Sequence, residues 1–362
     1  MQRWKRVARW IAGTALAACL GMPAPAALAA GAPSKQPTSG TLHGAPYRID
    51  VPADWNGDLV MLMHGYEPQG APRATPMEPK EPTQLFLGQG YAVAQSAYAS
   101  QGWAVGDAII DNERLRQLAV HHVGRPRHTY LVGFSLGGLE AAASLERYPH
   151  AYTGALILCG ATVSTPELAS HALLEPLVTF DALIPGVLPD LAAADAPEFV
   201  PPTVFATALK THPAQAALLE RRLQGTQTSL SLYYMVLREL EQRAGGMPVD
   251  NRTTVYRGFG DDAAFNRRVH RYAGPAEALA YADRNASLTG RIEVPLVMEW
   301  NVADMTIPSR LHGVYPEQVR AAGSGNLLTV LAPAGEGHCG FSDAQIGAAF
   351  GTLLQKTGAA SR

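Results

Sequence analysis

From residue 45 onward, apolar residues gather into short unbroken runs set apart by stretches of helical periodicity. The runs are YRIDV (47–51), DLVMLMH (58–64), YAVAQSAY (91–98), TYLVGF (129–134), GALILC (154–159), PLVMEW (295–300) and LLTVLA (327–332). Segments such as LVMLM and ALILC are apolar at every position, which predicts strands covered on both faces. Helical patterns fall near 106–123, 136–148, 311–322 and 342–356. Strands that alternate with such helices predict right-handed βαβ units and an α/β fold, a mainly parallel central sheet flanked by helices.

The rhythm breaks between residues 163 and 290. That stretch opens proline-rich (LIPGVLPDLAAADAPEFVPPT) and continues with PAQAALLERRL and SLSLYYMVLRELEQ, which carry helical spacing. It is too long for a loop and reads as a mostly helical lid or cap insertion. The core is then expected over 45–162 and 291–362. The YYM stretch of the insertion offers either a substrate-lining stripe or the packed face of a lid helix, and Trp103 in SQGWAV either a substrate contact or core.

The N-terminus follows a different logic. MQRWKRVARW is basic, IAGTALAACLG apolar, and PAPAALAAGAP small and proline-broken, the order of a secretory signal. Ala27-Leu28-Ala29 offers the small-x-small site, giving a signal peptide over 1–29 and a linker over 30–44. Leu16-Ala17-Ala18-Cys19 offers a competing lipoprotein signal with Cys19 lipid-anchored. A membrane anchor fits less well, because the apolar run is short and holds Pro23 and Pro25. The expected location is periplasmic or secreted.

Composition narrows the chemistry. Of 362 residues, 47% are hydrophobic and 17% charged, and the formal net charge of −2 carries no basic block that would suit nucleic acid. There is no H-E-x-x-H, no C-x-x-C and no Walker loop, so no metal or nucleotide cofactor is expected. GEGHCG (335–340) spells G-x-G-x-x-G after a strand, but the second strand and acidic residue of a dinucleotide site do not follow it.

Gly133-Phe134-Ser135-Leu136-Gly137 ends a predicted strand and opens a predicted helix, the context that the G-x-S-x-G pattern requires. A serine on so sharp a turn projects its Oγ beyond the sheet, beside the unpaired N–H groups of a helix N-terminus. Side chains two positions before and after would collide, hence Gly133 and Gly137. An ordinary helix N-cap at Ser135 is the plainer alternative.

A serine hydroxyl needs a base, and the base an orienting acid. Among 11 histidines, His338 lies in a glycine-rich loop just past the last predicted strand. His121, His122 and His150 sit at helix ends, and His64 ends a strand. For the acid, Asp304 follows the strand 295–300, with Glu167, Asp261 and Asp262 as alternatives. Backbone N–H groups of Leu136 and of Tyr66, in the loop His64-Gly65-Tyr66, are the candidate oxyanion donors.

Taken together, HGY, GFSLGG, NVADMTIP and GEGHCGF resemble the α/β-hydrolase superfamily in their order along the chain. GYAVAQSAYASQGWAV and LILCGA resemble secreted bacterial serine hydrolases described as esterase, tannase-like or peptidase-like. The resemblance implies a Ser135–His338–Asp304 triad with an acyl-enzyme intermediate. Two cysteines remain in the mature chain, which suggests one disulfide in an exported protein. On this fold the histidine loop would pass over the strand ending at Cys159, so Cys339 could meet it; two unpaired thiols are the alternative. Tannases and feruloyl esterases tie the same loop through a cysteine beside the serine, where this chain has Phe134. The expected activity is cleavage of small-molecule or polymer-derived carboxylic esters. An aminopeptidase-like serine peptidase and a catalytically silent binding or scaffold protein are the alternatives.

Overall fold

The computed structural model describes residues 37–80, 82–284 and 286–359. The signal peptide, Cys19 and the first part of the linker lie outside these residues. Eight strands form one sheet: β1 (Thr38–Leu42), β2 (Ala45–Asp50), β3 (Leu59–Met63), β4 (Ala92–Ser96), β5 (Thr129–Phe134), β6 (Gly154–Leu158), β7 (Leu296–Glu299) and β8 (Leu328–Val330). Their order across the sheet is β1-β2-β4-β3-β5-β6-β7-β8. β1 and β2 run antiparallel to their neighbours, and every pairing from β4 through β8 is parallel. This is the mainly parallel sheet that the apolar runs predict.

Alternate residues of each central strand enter opposite layers, as the two-residue period of a strand dictates. Met61, Leu131 and Ile157 face a core shared with Ile109, Leu139 and Tyr315, while Leu62, Val132 and Leu156 face one shared with Phe86, Ile346 and Phe350. The helices that cover the sheet outside the insertion are α1 (Thr83–Gly88), α2 (Val105–Val123) and α3 (Leu136–Arg147), with two more toward the C-terminus.

Between β6 and β7 the chain leaves the sheet. α4 (Thr165–Glu167), a π-helical stretch (Leu168–Leu174) and α5 (Glu175–Leu183) run on through helical backbone, followed by α6 (Pro202–Thr211), α7 (Pro213–Leu223), α8 (Leu230–Ala244), α9 (Asp262–Arg268) and α10 (Ala276–Arg284). α11 (Val314–Ala321) and α12 (Asp343–Lys356) complete the layers, α12 opening on a capping box between Ser342 and Gln345.

Two segments depart from expectation. The linker reading of 30–44 is corrected: β1 lies within it and pairs with β2 from Thr38↔Ile49 to Leu42↔Ala45. His43 and Gly44 join the strands with φ of 50° and 87°, the double positive φ of a tight two-residue hairpin turn. A histidine at the first turn position hides that signal, because Asn or Asp is the usual occupant. The short helix α1 follows a proline-rich stretch and lacks the length for a periodic pattern.

Candidate active site

The carboxyl ends of β3, β5, β6, β7 and β8 point to one edge, and the loops leaving them build the site. β5 runs into α3 through Ser135, whose φ of 55° and ψ of −122° lie where non-glycine residues are rarely found. Crowding explains the flanking glycines. A Cβ on Gly133 would stand 2.3 Å from the Gly137 carbonyl oxygen, and one on Gly137 would stand 2.3 Å from that of Met63. The serine turn is therefore wedged against the end of β3.

His338 and Asp304 arrive from adjacent loops that stay paired beyond β7 and β8. The Val302 N–H donates to Gly335 O at 2.9 Å and the Gly337 N–H to Val302 O at 3.0 Å. Asp304 is 6% exposed. One of its oxygens accepts from the Thr306 and Ile307 N–H groups at 2.8 and 3.0 Å, and the other lies 2.8 Å from His338 Nδ1. His338 Nε2 lies 2.7 Å from Ser135 Oγ. A carboxylate held by two backbone donors orients the imidazole, and the imidazole faces the hydroxyl, the geometry of a proton relay.

Cys339, next to His338, is disulfide-bonded to Cys159 just past β6, across 180 residues of sequence. The histidine loop is thereby tied to the strand neighbouring the serine turn.

On the opposite side lies the loop after β3. Gly65 packs so close that a Cβ there would stand 2.9 Å from Ser135 Cβ. His64 is engaged within its own loop and with Tyr98: Nδ1 is 2.7 Å from Gly65 O, and its ring stacks on Tyr98 at 4.1 Å. Burial pushes its pKa down to about 4, which keeps it neutral at pH 7. Behind it, burial raises the Glu140 carboxyl to about 8, with the Tyr98 hydroxyl as partner.

The remaining candidates are engaged elsewhere. Asp261 caps α9 through the Ala264 N–H at 3.0 Å, and Asp262 accepts from the Gly258 and Phe259 N–H groups. Glu167 belongs to α4. His122 lies 3.0 Å from Thr38 Oγ1, His150 is 3.6 Å from Glu293, and His121 sits in the last turn of α2.

A cavity of about 610 Å³ opens over Ser135 and His338. Its wall on the insertion side is apolar: Leu168, Ala172 and Leu173 come from the π-helical stretch, and Leu232 and Val236 from α8. The wider turn of a π-helix brings positions i, i+4 and i+5 to one side, which places these three residues together. Trp103 joins this wall although only 2% exposed, so it is both core and cavity lining. The YYM stretch divides the same way: Tyr233 lines the cavity, and Tyr234 is fully buried with its hydroxyl on Pro197 O. The far side carries Pro82, Phe341 and Ile346, with exposed Lys80 and Asp343 at the rim. Among the described residues no cluster of His, Cys, Asp and Glu suits a metal ion, and no helix is long and apolar enough to cross a membrane.

No family model and no curated protein matches the chain. Solved structures similar to it include a carboxyl esterase from Bacillus coagulans (13% identity, 90% of this chain, 98% of that one, TM-score 0.47). A mutant of the rice cell wall degrading esterase LipA from Xanthomonas oryzae gives 15% identity, 86% of each chain and a TM-score of 0.47. Est1E from Butyrivibrio proteoclasticus gives 11%, 89% of this chain, 99% of that one and 0.45. Strand order, an antiparallel β2 beside a parallel run, and a strained serine between β5 and α3 give this chain the α/β-hydrolase fold.

Proposed function

We propose that this protein is an exported serine hydrolase that cleaves carboxylic esters. The observation that carries the reading is the unbroken relay from Asp304 through His338 to Ser135 at the mouth of an apolar cavity. Ser135 Oγ attacks the ester carbonyl carbon as its proton passes to His338 Nε2, and the carbonyl π pair moves onto oxygen. The backbone N–H groups of Leu136 and Tyr66 donate to that oxyanion. Asp304 stays ionised and holds the imidazolium through Nδ1. Collapse re-forms the carbonyl and expels the alkoxide, which takes the proton from His338. Water, deprotonated by the same imidazole, then attacks the acyl-enzyme and releases the acid and Ser135.

The cavity lining favours esters over peptides with a free amine. Asp343 is the one carboxylate among the lining residues, and it lies exposed at the rim. A silent scaffold has no use for a serine held in so costly a conformation. The 163–290 insertion acts here as the lid, its π-helical wall forming one side of the substrate pocket. Export rests on the basic-apolar-small order of residues 1–29 and on the Cys159–Cys339 bond, which suits an oxidising compartment.

The test is a burst assay with short- and long-chain p-nitrophenyl esters, wild type beside Ser135→Ala, with intact-mass detection of a fluorophosphonate adduct. A stoichiometric burst and an adduct, both lost in the variant, are expected. Folded wild type that yields neither would sink the reading, and an adduct without ester turnover would redirect it to amides.

A further inference from the structure

Helix α8 carries a carboxylate that the reaction scheme leaves unused. Glu239 is 5% exposed, and its oxygens are taken up by the side of the site that holds Tyr66. One accepts from the Tyr66 hydroxyl at 2.7 Å. The other accepts from the Trp103 N–H at 2.7 Å and from Gln69 Nε2 at 3.0 Å. Arg243, one turn along α8, donates to the same carboxylate at 3.2 Å. Gly102 makes the approach feasible, since a Cβ there would lie 1.5 Å from Glu239 Oε1. The two loops gathered in this way also hold each other, the Gly102 N–H donating to Glu67 O at 2.6 Å.

A buried carboxylate with four donors is a fixed point, because moving any partner leaves an unpaired polar group out of water. Glu239 belongs to the insertion, whereas Tyr66 and Gln69 belong to the loop after β3. The insertion therefore holds the Tyr66 side chain by its hydroxyl.

We propose that Glu239 is a positioning residue that holds the Tyr66 N–H in register for the oxyanion, so that docking of the insertion and competence of the oxyanion site are one event. The inference rests on the ester-hydrolase reading above. Oxyanion donors act only when already aimed at the position the charge will occupy, and losing one outright costs about 10²–10³ in kcat.

The test compares Glu239→Ala, Glu239→Gln, Tyr66→Phe and the Glu239→Ala/Tyr66→Phe pair, each in the full chain with p-nitrophenyl esters. For Glu239→Ala, kcat is expected to fall about 10–100-fold with KM within about threefold. Affinity for a trifluoromethyl ketone, whose adduct places an oxyanion in the site, falls in parallel. Tyr66→Phe keeps the backbone N–H and loses the clamp, so its kcat falls in the same direction, and the double variant is no worse than Glu239→Ala alone. Glu239→Gln recovers most of the rate, because its carbonyl still accepts from Trp103 and Gln69 while its amide N–H donates to the Tyr66 hydroxyl oxygen and keeps the clamp. A kcat within twofold of wild type, a loss carried by KM, or additive losses in the double variant would overturn the inference. Should Glu239→Ala not fold, Tyr66→Phe with wild-type kcat overturns it equally. An absent burst in wild type would defeat the functional reading instead, whereas a normal wild-type burst with an unaffected Glu239→Ala defeats this inference alone.

Discussion

At the scale of single residues, the side chains with the most readable chemistry stand where their local sequence puts them. Ser135 is spelled by its glycines, and the clashes at Gly133 and Gly137 give the spelling a steric cause. His338 and Asp304 follow their strands closely enough to be ranked by position. Glu140 had no such label. It lies inside an alanine-rich helix, and its partner Tyr98 is far away in sequence, so its burial emerges only from packing. Its carboxyl is raised from 4.5 to about 8, so the folded protein holds a proton that the unfolded chain releases above pH 4.5. Stability from this group is complete below pH 4.5 and is lost as pH rises toward 8. Glu140→Gln, neutral at every pH, is expected to match wild type near pH 5. It should exceed wild type by up to a few kcal/mol at pH 8. Urea midpoints across that range check the sign; a gap that does not widen with pH contradicts the buried-acid account.

Elements were more legible than their junctions. Strands buried on both faces announce themselves as unbroken apolar runs, and β5 occupies the very residues expected. β1 and α1 escaped, one because a histidine stands in its turn, the other for want of length. The hardest element to read was α8. Its periodicity states that it is an amphipathic helix but not what it meets. It reaches both loops of the site: Glu239 takes the Tyr66 side, and the Tyr233 hydroxyl meets Met305 O and Thr306 O at 3.2 and 3.0 Å, beside Asp304. Tyr233→Phe removes that tether and leaves two carbonyl oxygens without it. A net contribution of about 1 kcal/mol corresponds to about a fivefold fall in kcat if all of it is expressed at the relay. Steady-state kinetics with the short-chain ester measures it, and unchanged kcat would mean that the Thr306 and Ile307 N–H groups suffice to hold Asp304.

For the whole molecule, one sheet edge gathers five loops, and the strand order decides which loops can touch. β6 lies between β5 and β7, so a chain end leaving β8 must cross it to bring His338 to Ser135. Cys159 at the end of β6 meets Cys339 on that crossing. Order along the fold made the meeting foreseeable: two cysteines in an exported chain favour one disulfide over two unpaired thiols, and the crossing supplies the contact. The closure spans 180 residues, and the chain-entropy model values it at about 5 kcal/mol, an upper bound since measured bridges usually deliver less. Stability and activity should respond unequally when it is removed. The sheet keeps its apolar layers, but the histidine loop loses the covalent tie adjacent to His338. Cys159→Ala/Cys339→Ala is therefore expected to fold with a lowered Tm and to lose ester turnover more steeply than the fall in folded fraction explains. Fluorophosphonate labelling and circular dichroism on the same sample separate the two effects. Labelling that simply tracks the folded fraction would show that the bond stabilises the whole protein without steering His338.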